Sequence, residues 1–305
     1  MLPATAAVVV AWREPEITLQ AISSLGAMQP AVDTLVCVVQ EWGADDVVRL
    51  SDQLGPSGVV LAIDDNLGFS EAANQGVDAA LAAGAEWVLL VNNDATVTPD
   101  CLERCLLEAS RHERAAVIGP AVVFADKPWR VWYAGGKQSR HFAFTTHPGL
   151  HNNAGNLPPT GPTQYVPGCC ALISARAWQD VGKYRTDFFL YYEDADWCFR
   201  ARAKGWQCWY LAEVLCHHAV SVSAGKRGST GLTETSAYYL ARNPLRWALG
   251  TAERRLRTTR AIGVLGIWGA YNAGRLLKSG SLRAGRAYLA GTRDAFAGRM
   301  GRRPS

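Results

Sequence analysis

The stretch Val88-Leu89-Leu90-Val91-Asn92-Asn93-Asp94 constrains this chain more than any other. Four apolar side chains in a row leave no polar face, so they describe a strand buried on both sides, the habit of parallel sheets in α/β proteins. Two amides and a carboxylate follow where the apolar run stops. In an open α/β sheet, ligands bind outside the carboxyl ends of the strands. A carboxylate at such a tip adds nothing to packing, but it can hold a hard divalent cation against phosphate oxygens. The competing reading is a polar turn into a helix starting near Thr98-Pro99-Asp100, because Asn and Asp are common in turns.

The same grammar recurs on the N-terminal side. Ala6 to Val10 reads as a short buried strand, followed by the loop Trp12-Arg13-Glu14-Pro15 and a helix near Ile17 to Leu25. Thr34 to Val39 is a second strand, ending in Gln40-Glu41-Trp42-Gly43-Ala44-Asp45-Asp46. Val59 to Ile63 is a third, followed by Asp64-Asp65-Asn66-Leu67-Gly68-Phe69-Ser70 and an Ala-rich helix over Glu71 to Ala83. Strands alternating with helices predict an α/β fold, with three or four parallel strands forming a Rossmann-like nucleotide-binding half. The absence of GxGxxG after the first strand counts against a dinucleotide enzyme, and the absence of a Walker sequence against a P-loop NTPase.

A chain of 305 residues suffices for one large α/β domain or for one domain with a helical tail. The 8 cysteines form no CxxC pair and sit mostly in apolar runs, which predicts reduced core thiols of a cytosolic protein. Met1 to Val10 lacks a basic leader region and breaks at Trp12-Arg13, so no signal peptide is expected. The net charge of +4 is modest but uneven: basic residues from Arg254 and Arg255 to Arg302 and Arg303 crowd the last fifty or so positions. A basic end suggests an anionic partner, either a membrane surface or nucleic acid. Ala261 to Leu277 is mostly apolar but too short and too interrupted for a membrane span. Trp268 and Tyr271 fit a helix lying among lipid headgroups; the alternative is a helix packed on the main domain with a solvated basic face. Nucleic acid is disfavoured, since the aromatics there are few and not interleaved as stacking platforms.

Several of these motifs together carry a resemblance. Val8 to Glu16, Asn66-Leu67-Gly68-Phe69, Asn74-Gln75-Gly76 and Leu89 to Asp94 resemble the successive motifs of family 2 glycosyltransferases with a GT-A fold, in the bacterial rhamnosyltransferase-like branch. Tyr165 to Ile173 resembles that family's glycine-containing acceptor-side strand, and Phe188 to Cys198 its Glu-Asp block. Cys216-His217-His218 with Ser221 and Ser223 is similar to its His-containing segment, and Tyr238 to Asn243 to a Tyr-Arg-Asn stretch. The likeness spans roughly residues 6 to 245. It implies a mixed, mainly parallel sheet flanked by helices, with a nucleotide-sugar-binding half over 1–125, an acceptor-binding and catalytic half over 126–225, and a basic helical tail over 226–305. The implied activity is an inverting, metal-dependent transfer from a nucleotide-sugar donor, with dTDP-rhamnose favoured by branch. The acceptor would be a glycan or polyprenyl-linked hydroxyl in cell-envelope polysaccharide synthesis, and the enzyme cytoplasmic, peripheral at the inner face of the membrane.

Such a transfer needs charge neutralisation on the leaving diphosphate, a base for the acceptor hydroxyl and a mostly dry pocket. By resemblance Asp94 would bind Mn²⁺ or Mg²⁺, and Asn92 or Asn93 would face the ribose. His218, or its neighbour His217, would be the second ligand, since imidazole suits Mn²⁺ better than Mg²⁺. Glu193 and Asp194 precede a helix whose dipole alone would favour acidic residues there. The surrounding Phe188, Phe189, Tyr191, Tyr192 and Trp197 predict instead a carboxylate with a raised pKa, fit to act as general base. By resemblance Asp194 is that base and Glu193 its support.

Trp12 falls where the family often stacks an aromatic on the pyrimidine, and Ala11 replaces a commoner polar residue. Asn66, Gly68 and Asn74 belong to the donor-side motifs. Gln40 stands where an aspartate usually reads the base; its carbonyl can accept a base N–H, though more weakly than a carboxylate. Residues 126–164, rich in Pro, Gly, His and Asn with Trp129, Trp132, Tyr133, Phe142 and Phe144, read as an acceptor-facing loop or lid, or as a flexible insert. Two rivals stand. A nucleotidyltransferase would want a glycine-rich basic loop after Val10, which is absent; a sugar-nucleotide-binding or scaffold protein of the same fold is motivated by the altered Gln40 block.

Overall fold

The computed structural model describes residues 2–139, 144–219, 232–251 and 257–304. Phe142, Ser221, Ser223, Arg254 and Arg255 lie outside the described residues. The N-terminal half alternates β1 (Thr5–Trp12), α1 (Pro15–Gly26), β2 (Thr34–Gln40), α2 (Ala44–Leu54), β3 (Gly58–Ile63), α3 (Phe69–Ala82) and β4 (Trp87–Asn92). Next come β5 (Ala95–Val97), α4 (Cys101–Ala109), β6 (Ala115–Phe124), β7 (Lys127–Tyr133), β8 (Lys137–Gln138), β9 (Thr145–Thr146) and β10 (Gly161–Thr163). The chain continues through β11 (Cys170–Ser174), α5 (Ala175–Val181), α6 (Glu193–Ala203) and β12 (Gln207–His218). It closes with α7 (Glu234–Thr251), α8 (Arg257–Gly263), α9 (Gly269–Ser279) and α10 (Leu282–Phe296).

One mixed sheet runs β10-β12-β6-β11-β4-β1-β2-β3, continuous across residue 125. β3, β2, β1 and β4 are parallel neighbours, as the buried apolar runs require. Side chains alternate across the pleat, and here both faces are buried. Val8, Val10, Val36, Val38, Val88 and Leu90 pack toward α3, while Ala7, Val9, Cys37, Val39, Leu89 and Val91 pack toward α1 and α4. Gly76 lets α3 come this close: a Cβ there would stand 2.4 Å from Val8 Cγ1. All eight cysteines are buried and unpaired.

The second half adds β11 antiparallel to β4, then β6 and β12 parallel to each other. The end of β12 turns back on β5, pairing Ala95 with His218 and Thr96 with His217. Among the described residues of 126–164, β7 pairs with β6 and the short β10 with β12 on the main sheet, while β8 and β9 form a separate two-stranded sheet. The segment's composition concealed short strands interrupted by proline and glycine.

The tail packs on the domain through α7 and α10. Tyr238, Tyr239, Ala237, Ala284 and Ala287 form a small apolar cluster with Phe189 and Leu232. No helix among the described residues is long and apolar enough to cross a membrane.

Candidate active site

A cleft of about 950 Å³ opens at the carboxyl ends of the parallel strands, where Trp12, Gln40, Asn66, Gly68, Asn92, Asn93, Asp94 and His218 all reach its wall. Asp94 is buried, two residues beyond the end of β4. The β5–β12 register brings His218 beside it, with Nε2 3.0 Å from Asp94 Oδ1. Trp132 fixes the imidazole edge-on at 4.6 Å, and among the described residues His218 Nδ1 is buried without a hydrogen-bond partner. A carboxylate and an imidazole converging on one cleft are donors that suit a divalent cation such as Mn²⁺. Among the described residues no third His, Cys, Asp or Glu joins them. His217 alternates to the opposite side of β12 and does not line the cleft.

The Asn-Leu-Gly-Phe stretch joins this wall to the Glu-Asp block. Asn66 Oδ1 accepts from Gly68 N at 2.9 Å, and Gln40 Oε1 accepts from Leu67 N at 2.8 Å. Gly68 has φ +84 and lies so near Phe189 that a Cβ would stand 2.5 Å from the Phe189 carbonyl. Only glycine satisfies both demands. The Gln40 carbonyl thus already accepts one hydrogen bond from backbone, leaving one lone pair for a further donor. Trp12 lines the cleft with its indole N–H donated to Glu41 at 3.0 Å and the Arg13 guanidinium 4.8 Å over its ring.

Two donor-side assignments depart from the cleft. The Ala11 side chain is wholly buried under the sheet, because strand alternation turns its neighbours Val10 and Trp12 to the cleft instead. Asn74 is buried on α3, where its Nδ2 donates to the Tyr184 carbonyl and its Oδ1 accepts from Tyr184 N, both at 3.0 Å. With both ends satisfied, Asn74 ties α3 to the segment before the Glu-Asp block. Asn93 spends its Nδ2 on Thr18 Oγ1 at 3.2 Å, and Asn92 faces the cleft.

Phe189, Tyr191 and Tyr192 take left-handed conformations, with φ 67, 66 and 79, just before Glu193 starts α6. Such conformations cost free energy in non-glycine residues and persist only where the surroundings impose them. The imposing groups are Arg242 and Asn243 of α7, both wholly buried. Asn243 Nδ2 donates to the carbonyls of Phe188 (3.1 Å), Leu190 (2.8 Å) and Tyr191 (2.8 Å). Arg242 donates to Phe188 O (2.9 Å) and Gly301 O (2.7 Å), while Gly301 N returns a bond to Asp187 O at 2.7 Å. The Tyr-Arg-Asn motif is thus the clamp of the Glu-Asp loop.

In that loop Asp194 accepts from Gly168 N at 3.1 Å and Ala195 N at 2.6 Å. Burial still holds its carboxyl above the usual aspartate range, with those backbone bonds opposing. Burial, then the neighbouring Asp194 charge, pushes Glu193 well up; its Oε2 has no partner among the described residues. Asp196 is different, paired with Arg200 at 2.8 Å, and serves the helix. Neither Glu193 nor Asp194 lines the cleft itself. The Gly168–Cys169 backbone joins the two acidic sites: Gly168 N reaches Asp194, and the Cys169 carbonyl accepts from Asn92 N at 3.0 Å.

A family model described as "Glycosyltransferase like family 2" matches residues 3–250. The chain belongs to the family 2 glycosyltransferases. This glycosyltransferase is 26% identical over 248 residues to an N-acetylglucosaminyl-diphospho-decaprenol L-rhamnosyltransferase of Mycobacterium tuberculosis, the match covering 70% of this chain and 79% of the relative. Its fold is similar to that of the mannosyltransferase PcManGT from Pyrobaculum calidifontis in complex with GDP-Man and Mn²⁺: TM-score 0.59, 16% identity, 97% of this chain and 81% of that one. It is also similar to GalNAc-T7 with UDP, GalNAc and Mn²⁺: TM-score 0.59, 12% identity, 90% of this chain and 58% of that one. These neighbours share a GT-A fold with the enzyme.

Reading the glycosyltransferase's sequence alone passed over several residues at the site. Glu41 accepts from both Trp12 and Arg13; Trp132 positions His218; Arg275, Arg302 and Arg303 line the cleft from the tail. Arg302, Arg303 and Trp132 left a signal only as parts of a basic tail and an aromatic-rich segment, and the Tyr-Arg-Asn stretch only as a motif without a role.

Proposed function

We propose that this glycosyltransferase transfers a sugar, with rhamnose from dTDP-rhamnose the favoured donor, to a hydroxyl of a lipid-linked glycan, with inversion and with a divalent metal. The observation that carries the reading is the Asp94–His218 pair in one cleft with Trp12 and Gln40, joined through Gly168 and Cys169 to Asp194. The rhamnosyl and polyprenyl parts rest on likeness to the mycobacterial relative, and the metal on the donor chemistry of Asp94 and His218 and on the Mn²⁺ in two structural neighbours. Asp94 and His218 would hold a Mn²⁺ or Mg²⁺ ion, whose positive charge would offset the charge of the leaving diphosphate.

The protein's own groups do the rest. Trp12 offers an indole face to the base, and Asn92 an amide to the ribose. Asp194, kept partly protonation-prone by burial, takes the proton of the acceptor hydroxyl as its oxygen bonds to the anomeric carbon. The bond from that carbon to the diphosphate breaks on the opposite face, so one displacement inverts the configuration. Exposed apolar residues on the tail, including Ile262, Leu265, Leu277, Leu282 and Leu289 among arginines, support peripheral contact with an anionic membrane at its inner face.

The test is transfer from dTDP-rhamnose, UDP- and GDP-sugars to a polyprenyl-diphosphate-linked N-acetylglucosamine, with Mn²⁺ or with chelator, and product configuration read by NMR. Metal-dependent formation of an inverted linkage is expected. Retention of configuration, or full activity in chelator, contradicts the reading.

A further inference from the structure

Three arginines of the tail, Arg275 on α9 and Arg302 and Arg303 beyond α10, line the cleft that holds Trp12, Asn92, Asp94 and His218. Their placement is tied to the catalytic loop. Gly301 is bonded on both sides, to Arg242 Nη1 and to Asp187 O, each at 2.7 Å, and Arg303 N donates to Tyr239 Oη at 2.8 Å. α9 is anchored through Trp268, whose indole N–H donates to Leu240 O at 2.9 Å. These anchors hold the backbone of the segment that carries Arg302 and Arg303 and the start of α9, which carries Arg275.

The heads are weakly committed within the protein. Arg302 stands 4.0 Å from Glu41 with 60% of its side chain exposed, and Arg303 stands 3.7 Å from Glu234 with its guanidinium 5.6 Å over the Tyr238 ring. Exposed pairs this long contribute little. Arg275 has no carboxylate in ion-pair range among the described residues and lies 5.9 Å from the Tyr271 ring. Asp94 alone would repel a diphosphate, whereas planar guanidinium forks match phosphate oxygens and can bind them in bidentate fashion. We propose that Arg275, Arg302 and Arg303 bind the diphosphate of the nucleotide sugar, which makes the tail a working part of the donor site. This rests on the nucleotide-sugar reading above. A diphosphate also occurs in a lipid-linked acceptor; the nucleotide is favoured because Arg302 approaches Glu41, the carboxylate that holds the Trp12 indole.

The experiment is calorimetric titration of dTDP, UDP and GDP, with Mn²⁺, into the wild type, Arg275→Ala and Arg302→Ala/Arg303→Ala. Arg283→Ala, which changes a tail arginine outside the cleft, is the control, and farnesyl diphosphate in detergent is the second ligand. Each cleft variant should bind the preferred nucleoside diphosphate roughly tenfold to a hundredfold more weakly. The corresponding monophosphate should lose less, and affinity should depend less steeply on salt than in the wild type. Thermal melts check folding; should a variant melt early, Arg275→Gln and Arg303→Gln replace it, keeping the side-chain length nearer the original. Unchanged nucleoside diphosphate affinity in folded variants, or a loss confined to farnesyl diphosphate, overturns the proposal and leaves the nucleotide-sugar reading standing. A wild type that binds none of the three nucleotides overturns both.

Discussion

Asp94 and Asp194 are both acidic residues at the mouth of the same sheet, yet they are held in opposite ways. Asp94 follows a strand paired on both sides, with β1 and β11, and its partner His218 arrives by ladder register. Asp194 follows three residues of left-handed backbone with no ladder beneath them. Its loop is held from α7, through Arg242 and Asn243, and from Gly301 near the other end of the tail. The donor side is therefore built into the sheet, whereas the catalytic loop depends on residues far along the chain. Damage to the tail should reach catalysis before it reaches the sheet.

The sharpest way to separate the two regions is Asp194→Asn. Transfer should fall by about 10²- to 10⁴-fold, the scale of losing a general base, with nucleotide affinity nearly unchanged. Arg242→Met should come next. It leaves the Gly301 carbonyl without the Arg242 donor, removes one of the bonds to the Phe188 carbonyl, which keeps that from Asn243, and should cost about 3 kcal/mol in urea unfolding, with transfer reduced in the molecules that remain folded. Asn243→Ala removes three bonds to the same loop and should cost about 2 kcal/mol, again with a larger loss in kcat than in donor affinity. Trp12→Ala should do the reverse, weakening nucleotide binding by roughly tenfold through lost stacking while the Asp194 loop is untouched.

The smallest effect is on pH. Burial raises both Glu193 and Asp194 in the folded enzyme, so the native state binds protons more tightly than the unfolded chain. Stability conferred by this pair is present at low pH and falls as pH rises through the raised values. Catalysis needs Asp194 ionised, so kcat/KM should rise over that window, on a limb above the ordinary aspartate range that belongs to the pair. A pH–rate profile and pH-dependent melts should move in opposite directions there.

The same contrast explains what could be read from the chain beforehand. β1 to β4 were legible because a doubly buried strand writes its burial as consecutive Val and Leu, and the polar residues at Asp94 follow directly in sequence. The donor motifs were legible as motifs but not as contacts: Asn74 turned inward to Tyr184, and the Gln40 carbonyl went to Leu67, because their partners lie on other elements. His217 and His218 differ only in strand phase, which the β5 pairing decides. The clamp by Arg242 was illegible because an arginine's burial inside a helix depends on carbonyls more than fifty residues away. The basic tail looked like a membrane-facing charge run, while Arg275, Arg302 and Arg303 within it line the cleft.

The most direct measurement is calorimetric binding of dTDP with Mn²⁺ to the wild type, Asp94→Ala and Asp194→Asn, with transfer assayed on the same preparations. The account predicts that Asp94→Ala loses metal-dependent binding, whereas Asp194→Asn binds as the wild type does and fails to transfer. Intact binding in Asp94→Ala, or near-normal transfer by Asp194→Asn, would contradict the division of labour between the two carboxylates.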